Sequence, residues 1–227
     1  MSRMKNIQGK GPMQAVDAVY AADPEARVVA AAQRRLRAAL RGQSPQVYYD
    51  VLPRSPLGAV YLASGRDGLL AVGLATDEPG FVRAVARRTG AMPVRSAERL
   101  RHARQQVDEY LRGKRSALQI EVDLSYVTPF QRAVLEAARR IPRGTVITYG
   151  EMAARLRRPR AGRAVGQALA HNPVPILVPC HRVVSAGGEL RGYLGDRVGL
   201  KARLLKLEGV PMLGDRCQIA GRSGAGR

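Results

Sequence analysis

Short apolar runs bounded by turn residues dominate the chain after Gln46: 47–52 (VYYDVL), 58–64 (GAVYLAS) and 68–74 (GLLAVGL). Rich in β-branched and aromatic residues, they predict strands. Gly65-Arg66-Asp67-Gly68 between the last two predicts a hairpin. A fourth run, 118–124 (LQIEVDL), alternates apolar and polar residues, as a strand half-buried on a sheet does. Between these runs the period lengthens to that of a helix at 80–88 and again at 96–111, where Leu100, Ala103, Val107, Tyr110 and Leu111 share a face. Upstream, residues 24–40 (PEARVVAAAQRRLRAAL) predict a basic, Ala-rich helix, a lid or an additional phosphate contact, and the polar residues 1–11 are expected to be disordered.

The second half opens with Thr128-Pro129-Phe130-Gln131, a capping box with proline at the first helical position, followed by Phe130, Val134, Ala137, Ala138 and Ile141 on one stripe. Pro142 stops that helix. A second box, Thr148 to Glu151, starts a short helix through Leu156 that Pro159 breaks, and a further helix spans 160–170 before Asn172-Pro173. The pair predicts a helix-turn-helix. In its second helix Val165, Ala168 and Leu169 face inward, leaving Arg160, Arg163, Ala164 and Gln167 outward. Ala161, Gly162, Ala164 and Gly166 are small enough to let that backbone approach a minor groove only about 6 Å wide; an Ala-rich packed helix with solvated arginines is the alternative. A last helix, 196–208, carries the stripe Leu200, Leu204 and Leu207. The expected class is α+β: a small antiparallel sheet with helices, then a mostly helical half containing the helix-turn-helix and a cysteine loop.

Composition sharpens the picture. The 227 residues hold 38 Lys+Arg against 18 Asp+Glu, a formal charge of +20, which points to a polyanionic partner. Almost all of it is arginine, suited to bidentate phosphate contacts, although a GC-rich genome would also turn lysine codons into arginine. Two cysteines make no disulfide framework and form no metal-ligand spacing, so a reducing, intracellular, cytoplasmic setting and no metal are expected. Neither an apolar leader nor a run of about 20 apolar residues is present, so no membrane partner is expected.

The segment 174–184 (VPILVPCHRVV) sets a Cys-His pair in an apolar run, with Pro175 and Pro179 denying regular strand pairing around Cys180. A lone buried cysteine is commonly inert. A thiol attacks only as thiolate, however, and His181 stands beside Cys180 as a candidate base, with Glu208 as a candidate group to orient the imidazole. Glu208 sits at a helix C-terminus, where the helix dipole disfavours a carboxylate unless it has a partner.

These residues resemble the O6-alkylguanine-DNA alkyltransferases (methylated-DNA-protein-cysteine methyltransferases). TPFQ (128–131), IPRGTVITYGEMA (141–153), RAVGQAL (163–169), NPVPILVPCHRV (172–183), GY (192–193) and KARLLKLEG (201–209) follow the family pattern in order, and SPLG (55–58) is similar to the start of its N-terminal domain. The resemblance implies irreversible transfer of an alkyl group from O6-alkylguanine, or O4-alkylthymine, in double-stranded DNA to Cys180, with no cofactor. His181, acting through a bridging water, and Glu208 would activate Cys180. Tyr149 would donate a proton to the departing guanine, and Asn172 would brace the loop. Arg163 would fill the stack when the damaged nucleotide flips out, and Ala161, Gly162, Ala164, Gly166, Gln167 and Thr148 would complete the DNA-binding set. Val183, Pro175, Tyr193, Leu194, Gly195 and Asp196 would line the base pocket. The zinc of some relatives would need cysteines that the N-terminal half lacks.

The implied division is an extension at 1–45, an N-terminal α/β domain at 46–125, a DNA-binding and alkyl-acceptor domain at 126–210, and a tail at 211–227 containing Cys217, in a chain acting as a monomer and gathered on the nucleoid when bound to DNA. Val127, Leu135 and Asp196 replace the Gly, Trp and Gly usual in the family; Leu194 and Asp196 would tighten the pocket rim. Alternatives are a non-catalytic sensor of alkylated DNA or a DNA-binding regulator, although sensor relatives lack the acceptor cysteine, and a Cys-His hydrolase.

Overall fold

A computed structural model describes residues 46–194 and 197–219. The helix expected at 24–40, the disorder expected at 1–11, and Gly195 and Asp196 lie outside the described residues. The first three strands form as predicted: β1 (Tyr48–Leu52), β2 (Val60–Gly65) and β3 (Gly68–Leu74). The hairpin closes through Arg66 and Asp67, with Gly68 at φ 127°. A Cβ at Gly68 would lie 2.5 Å from the Glu121 carbonyl oxygen, so the position requires glycine on both counts. β1 pairs antiparallel with β2 and parallel with the short β4 (Val94–Arg95), giving the order β3-β2-β1-β4. One edge of the sheet is therefore parallel, which the hairpin pattern did not reveal.

The strand expected at 118–124 does not form. Val122 alone bridges to Leu69, whose N–H donates to Glu121 O and whose carbonyl accepts from Asp123 N–H, both at 2.8 Å. Farther along β3 the Val72 N–H is taken by the Pro173 carbonyl of the C-terminal half at 2.8 Å, so the ladder cannot extend. The alternation at 118–124 serves packing instead: Leu118, Ile120, Val122 and Leu124 all pack in the main core.

Helix α1 (Glu78–Thr89) starts on Asp77, whose side chain accepts the Gly80 N–H, and ends at Gly90. Helix α2 (Arg101–Leu111) begins later than the period suggested because residues 97–100 form a turn. The period of two along β2 sorts side chains between two clusters: Val60 and Leu62 enter the main core, while Tyr61 and Ala63 meet Phe81 and Val85 of α1.

The C-terminal half contains α3 (Pro129–Arg139), α4 (Tyr149–Arg155), α5 (Gly162–Ala170) and α6 (Val198–Leu207), with α5 packed on α3 and α4. Strand β5 (Ile147–Thr148) runs parallel to β6 (Val183–Val184). The box at Thr148 and Glu151 closes reciprocally. The one at Thr128 closes by half: Thr128 accepts the Gln131 N–H, but the Gln131 amide donates to the Ala168 and His171 carbonyls at the end of α5. Beyond the resemblance, β7 (Met212–Leu213) and β8 (Arg216–Cys217) form a hairpin that joins Val146, Val184 and Leu205 in a third cluster. The main core crosses both halves of the chain, joining Leu62, Leu100 and Leu111 to Val134, Val165, Val178 and Leu204.

Candidate active site

Cys180 opens a single 3-10 turn (Cys180–Arg182) between Pro179 and β6. Since Tyr149 follows β5 directly, the β5–β6 ladder holds Tyr149 and the cysteine turn in one frame. Ahead of the turn, buried Ile176 adopts φ 76°, a left-handed conformation that costs a β-branched residue on the order of 1–3 kcal/mol. Asn172 holds this loop in place. Its Oδ1 accepts the Val174 N–H at 3.0 Å, and its Nδ2 donates to Val178 O at 2.9 Å and to Cys180 Sγ at 3.1 Å. Burial pushes the Cys180 thiol up; the Asn172 amide, the Lys201 charge and the backbone amides of Cys180 and His181 oppose that shift.

The His181 Nε2 meets Glu208 Oε1 at 2.7 Å. An ionised carboxylate only accepts, so Nε2 carries the hydrogen and Nδ1 keeps its lone pair. That Nδ1 is buried and has no hydrogen-bond partner among the described residues. Burial holds His181 below its ordinary value, against the pull of Glu208. Glu208 also accepts from Arg182 Nε at 2.7 Å and Nη2 at 2.9 Å, and from the Tyr110 hydroxyl at 2.5 Å. Burial alone would raise the carboxyl, but His181 and Arg182 hold it well below the usual carboxylate range. Arg182 further donates to Ile141 O and to the Tyr110 oxygen. Glu208 thus caps α6 with its charge fully compensated, which answers the dipole objection.

Tyr149 is half-buried, its hydroxyl donating to Arg191 O at 3.4 Å, and burial, then the nearby Cys180, raise its phenol. It therefore stays protonated and able to donate. Pro175, Val183 and Tyr193 are buried, and Leu194 is half-buried at φ 45°. The Tyr193 ring stands edge-on to His181, and its hydroxyl, whose pKa is raised by burial and then by the nearby Cys180, meets no partner at hydrogen-bond geometry among the described residues. A cavity of about 230 Å³ between β3 and α1 reaches Asn172 and Leu194 but not Cys180, so it is separate from the reacting atom.

On α5, Val165, Ala168 and Leu169 are buried while Arg163 and Gln167 are exposed and Ala161 and Ala164 half-buried, the division expected from the period. Two of the small residues face elsewhere. A Cβ on Gly166 would sit 3.7 Å from the Tyr149 ring and one on Gly162 3.9 Å from the Tyr149 backbone, so these glycines fit α5 against Tyr149. Thr148 is buried and its hydroxyl accepts the Glu151 N–H, which places it in the cap of α4 instead of on the exposed face. Arg155, Arg157, Arg158 and Arg160 extend the exposed basic surface through the turn before α5.

Three buried polar side chains packed around the site were not among the site residues singled out from the sequence: Arg182, Tyr110 and Lys201. Each carried a signal. Arg182 is a charge inside an apolar run, and such a charge needs a counter-charge. Lys201 stands three residues before Leu204 on the inward stripe of α6; it is fully buried, donates from Nζ to Val183 O at 2.7 Å and Arg191 O at 3.2 Å, and is pushed down to about 8 by burial. Tyr110 lies on the inward face of α2 with a hydroxyl that must find a partner.

Residues 47–124 match the family model described as 6-O-methylguanine DNA methyltransferase, ribonuclease-like domain, and residues 129–210 match its DNA binding domain. The constitutive methylated-DNA–protein-cysteine methyltransferase of Bacillus subtilis is 34% identical over 162 residues, covering 71% of this chain and 96% of the relative. The crystal structure of Mycobacterium tuberculosis O6-methylguanine methyltransferase superposes with a TM-score of 0.60 at 38% identity, covering 72% of this chain and 93% of that one. M. tuberculosis OGT in complex with DNA gives 0.59 at 35% identity, covering 71% and 92%. Sequence, fold and the arrangement around Cys180 agree: the chain belongs to the 6-O-methylguanine DNA methyltransferase family.

Proposed function

We propose that this protein repairs DNA by direct reversal, moving the alkyl group of O6-alkylguanine in a duplex onto Cys180. The observation that carries the reading is the Asn172–Cys180–His181–Glu208 arrangement, in which a hydrogen-bond donor faces the sulfur and the neighbouring imidazole keeps a free Nδ1. His181 Nδ1 takes the thiol proton through the bridging water that the resemblance implies, and Glu208 stabilises the imidazolium. The Cys180 sulfur attacks the alkyl carbon, forming C–S as C–O breaks, and the electron pair leaves on guanine. Tyr149 supplies the proton that makes guanine neutral. The product thioether is stable and nothing regenerates the thiol, so each molecule acts once.

Exposed Arg163 and the basic turn before α5 support duplex binding and base flipping, which costs a few kcal/mol of unstacking. Both cysteines are free thiols, in keeping with a reducing, intracellular setting. Among the described residues no helix is long and apolar enough to cross a membrane. The test is on the DNA: nucleoside analysis of a duplex bearing one O6-methylguanine should show that base converted to guanine in proportion to protein added. Persistence of O6-methylguanine beside bound protein would instead identify a sensor.

A further inference from the structure

The carboxylate behind His181 is shared with the N-terminal half of the molecule. Glu208 Oε1 receives three donors: the Tyr110 hydroxyl at 2.5 Å, His181 Nε2 at 2.7 Å and Arg182 Nη2 at 2.9 Å. Tyr110 comes from α2, 98 residues away in sequence, and is 4% exposed. Its ring is clamped by the Arg143 guanidinium, 4.9 Å from the ring centroid, and Arg143 is itself anchored on the Leu207 and Arg115 carbonyls at 2.7 Å each. The hydroxyl is thus aimed, not adaptable.

We propose that Tyr110 is a positioning residue that sets how strongly Glu208 pulls on His181, and through His181 how readily Cys180 gives up its proton. Donors to one oxygen compete for its charge: the more the Tyr110 hydroxyl draws from Oε1, the less basic His181 becomes. Burial and the adjacent Glu208 keep the phenol protonated, so the hydroxyl is a constant donor. The other groups facing His181 are Arg182, Lys201, Cys180 and Tyr193, and those facing Tyr110 are Arg182 and Arg143. None of the cationic groups can replace the phenol as a neutral donor whose strength is adjustable. The N-terminal half, which contributes none of the groups assigned to the reacting atoms, would in this way reach the chemistry from behind.

This inference rests on reading Cys180 as the acceptor, and its test works without DNA. The rate at which iodoacetamide alkylates Cys180, resolved by peptide mass, is followed against pH beside the rate of transfer from an O6-methylguanine duplex. Tyr110→Phe removes the competing donor, and the rising limb should move to lower pH by about half to one unit, roughly three- to tenfold in rate on that limb. A fluorinated tyrosine placed at 110 is a stronger donor of unchanged shape and should move the limb the opposite way, which also covers the case in which the Phe variant fails to fold. Unshifted profiles in both variants, or shifts of the same sign, would overturn the proposal. If iodoacetamide profiles diverge as expected while wild type takes no methyl group from DNA, the transfer reading fails and the tuning role stands.

Discussion

Cys180 and Cys217 differ less in burial than in the direction of the hydrogen bond at sulfur. Both are buried, at 5% and 4% exposure, both thiols are raised by burial, and the charge of Lys201 favours the thiolate of both. Cys217, on the β7–β8 hairpin, donates to the Gly188 carbonyl at 3.4 Å. That bond favours the thiol. Cys180 accepts from the Asn172 amide at 3.1 Å, which favours the thiolate, and has beside it an imidazole with an open nitrogen. The contrast teaches that a buried cysteine becomes a nucleophile through donors aimed at its sulfur and a route for its proton, neither of which burial or a nearby cation supplies.

Deleting each sulfur separates the two cysteines most directly. Cys180→Ser should abolish transfer while leaving duplex binding, since the binding charge lies elsewhere, and Cys217→Ala should transfer at the wild-type rate. Loss of transfer in the Cys217 variant would mean that the two thiols act together. Next in size is Glu208→Gln, which leaves Arg182 buried without a counter-charge and should cost about 3–5 kcal/mol of stability, read by denaturant unfolding. The deficit has a defined pH window. The folded carboxyl lies below the unfolded value of about 4.3, so its stabilisation is complete above that value and is lost as pH falls through the folded one. The gap between wild type and variant should therefore narrow steadily as pH falls below about 4.3; a constant gap would contradict the ion-pair account.

A smaller effect separates chemistry from access. Arg163→Ala should slow transfer from a duplex by roughly ten- to a hundredfold, the range of a lost flipping contribution of a few kcal/mol, yet leave iodoacetamide alkylation of Cys180 unchanged. Equal slowing of both would make Arg163 structural. The smallest concerns Lys201. Its folded value of about 8 lies below an unfolded value near 10.4, so the folded state binds fewer protons between them and stability should rise with pH across that window. In Lys201→Met this rise should vanish, and an unchanged slope would assign it to another group.

Two capping boxes show why some of the molecule could be read from its sequence and some could not. Thr148 and Glu151 close theirs because a carboxylate only accepts and the N-cap N–H is the nearest donor; that box, and with it the placement of Tyr149, was legible. The same spacing at Thr128 ends in Gln131, whose amide also donates, and the unpaired carbonyls at the end of α5 capture it. That tertiary demand leaves no local trace. The β1–β3 hairpin elements, the inward faces of α2 and α5, and the Cys180–His181 turn were likewise local. Glu208 could be suspected from its position against the helix dipole, and its pairing with His181 was legible too, but its other two partners were not: Tyr110 and Arg182 reach it across 98 and 26 residues. The stripe read at Leu200, Leu204 and Leu207 left Lys201 outside it, whereas the buried face runs through Lys201, Leu204 and Leu205, with two carbonyls receiving the ammonium.

Cys180 alone should accept one alkyl group and stop. Peptide-resolved mass analysis after incubation with excess duplex carrying O6-methylguanine tests it in a single measurement. One methyl group per molecule, on the peptide containing Cys180, with a plateau at one equivalent of repaired DNA, is expected. A methyl group on Cys217, or repair continuing past one equivalent, would contradict it.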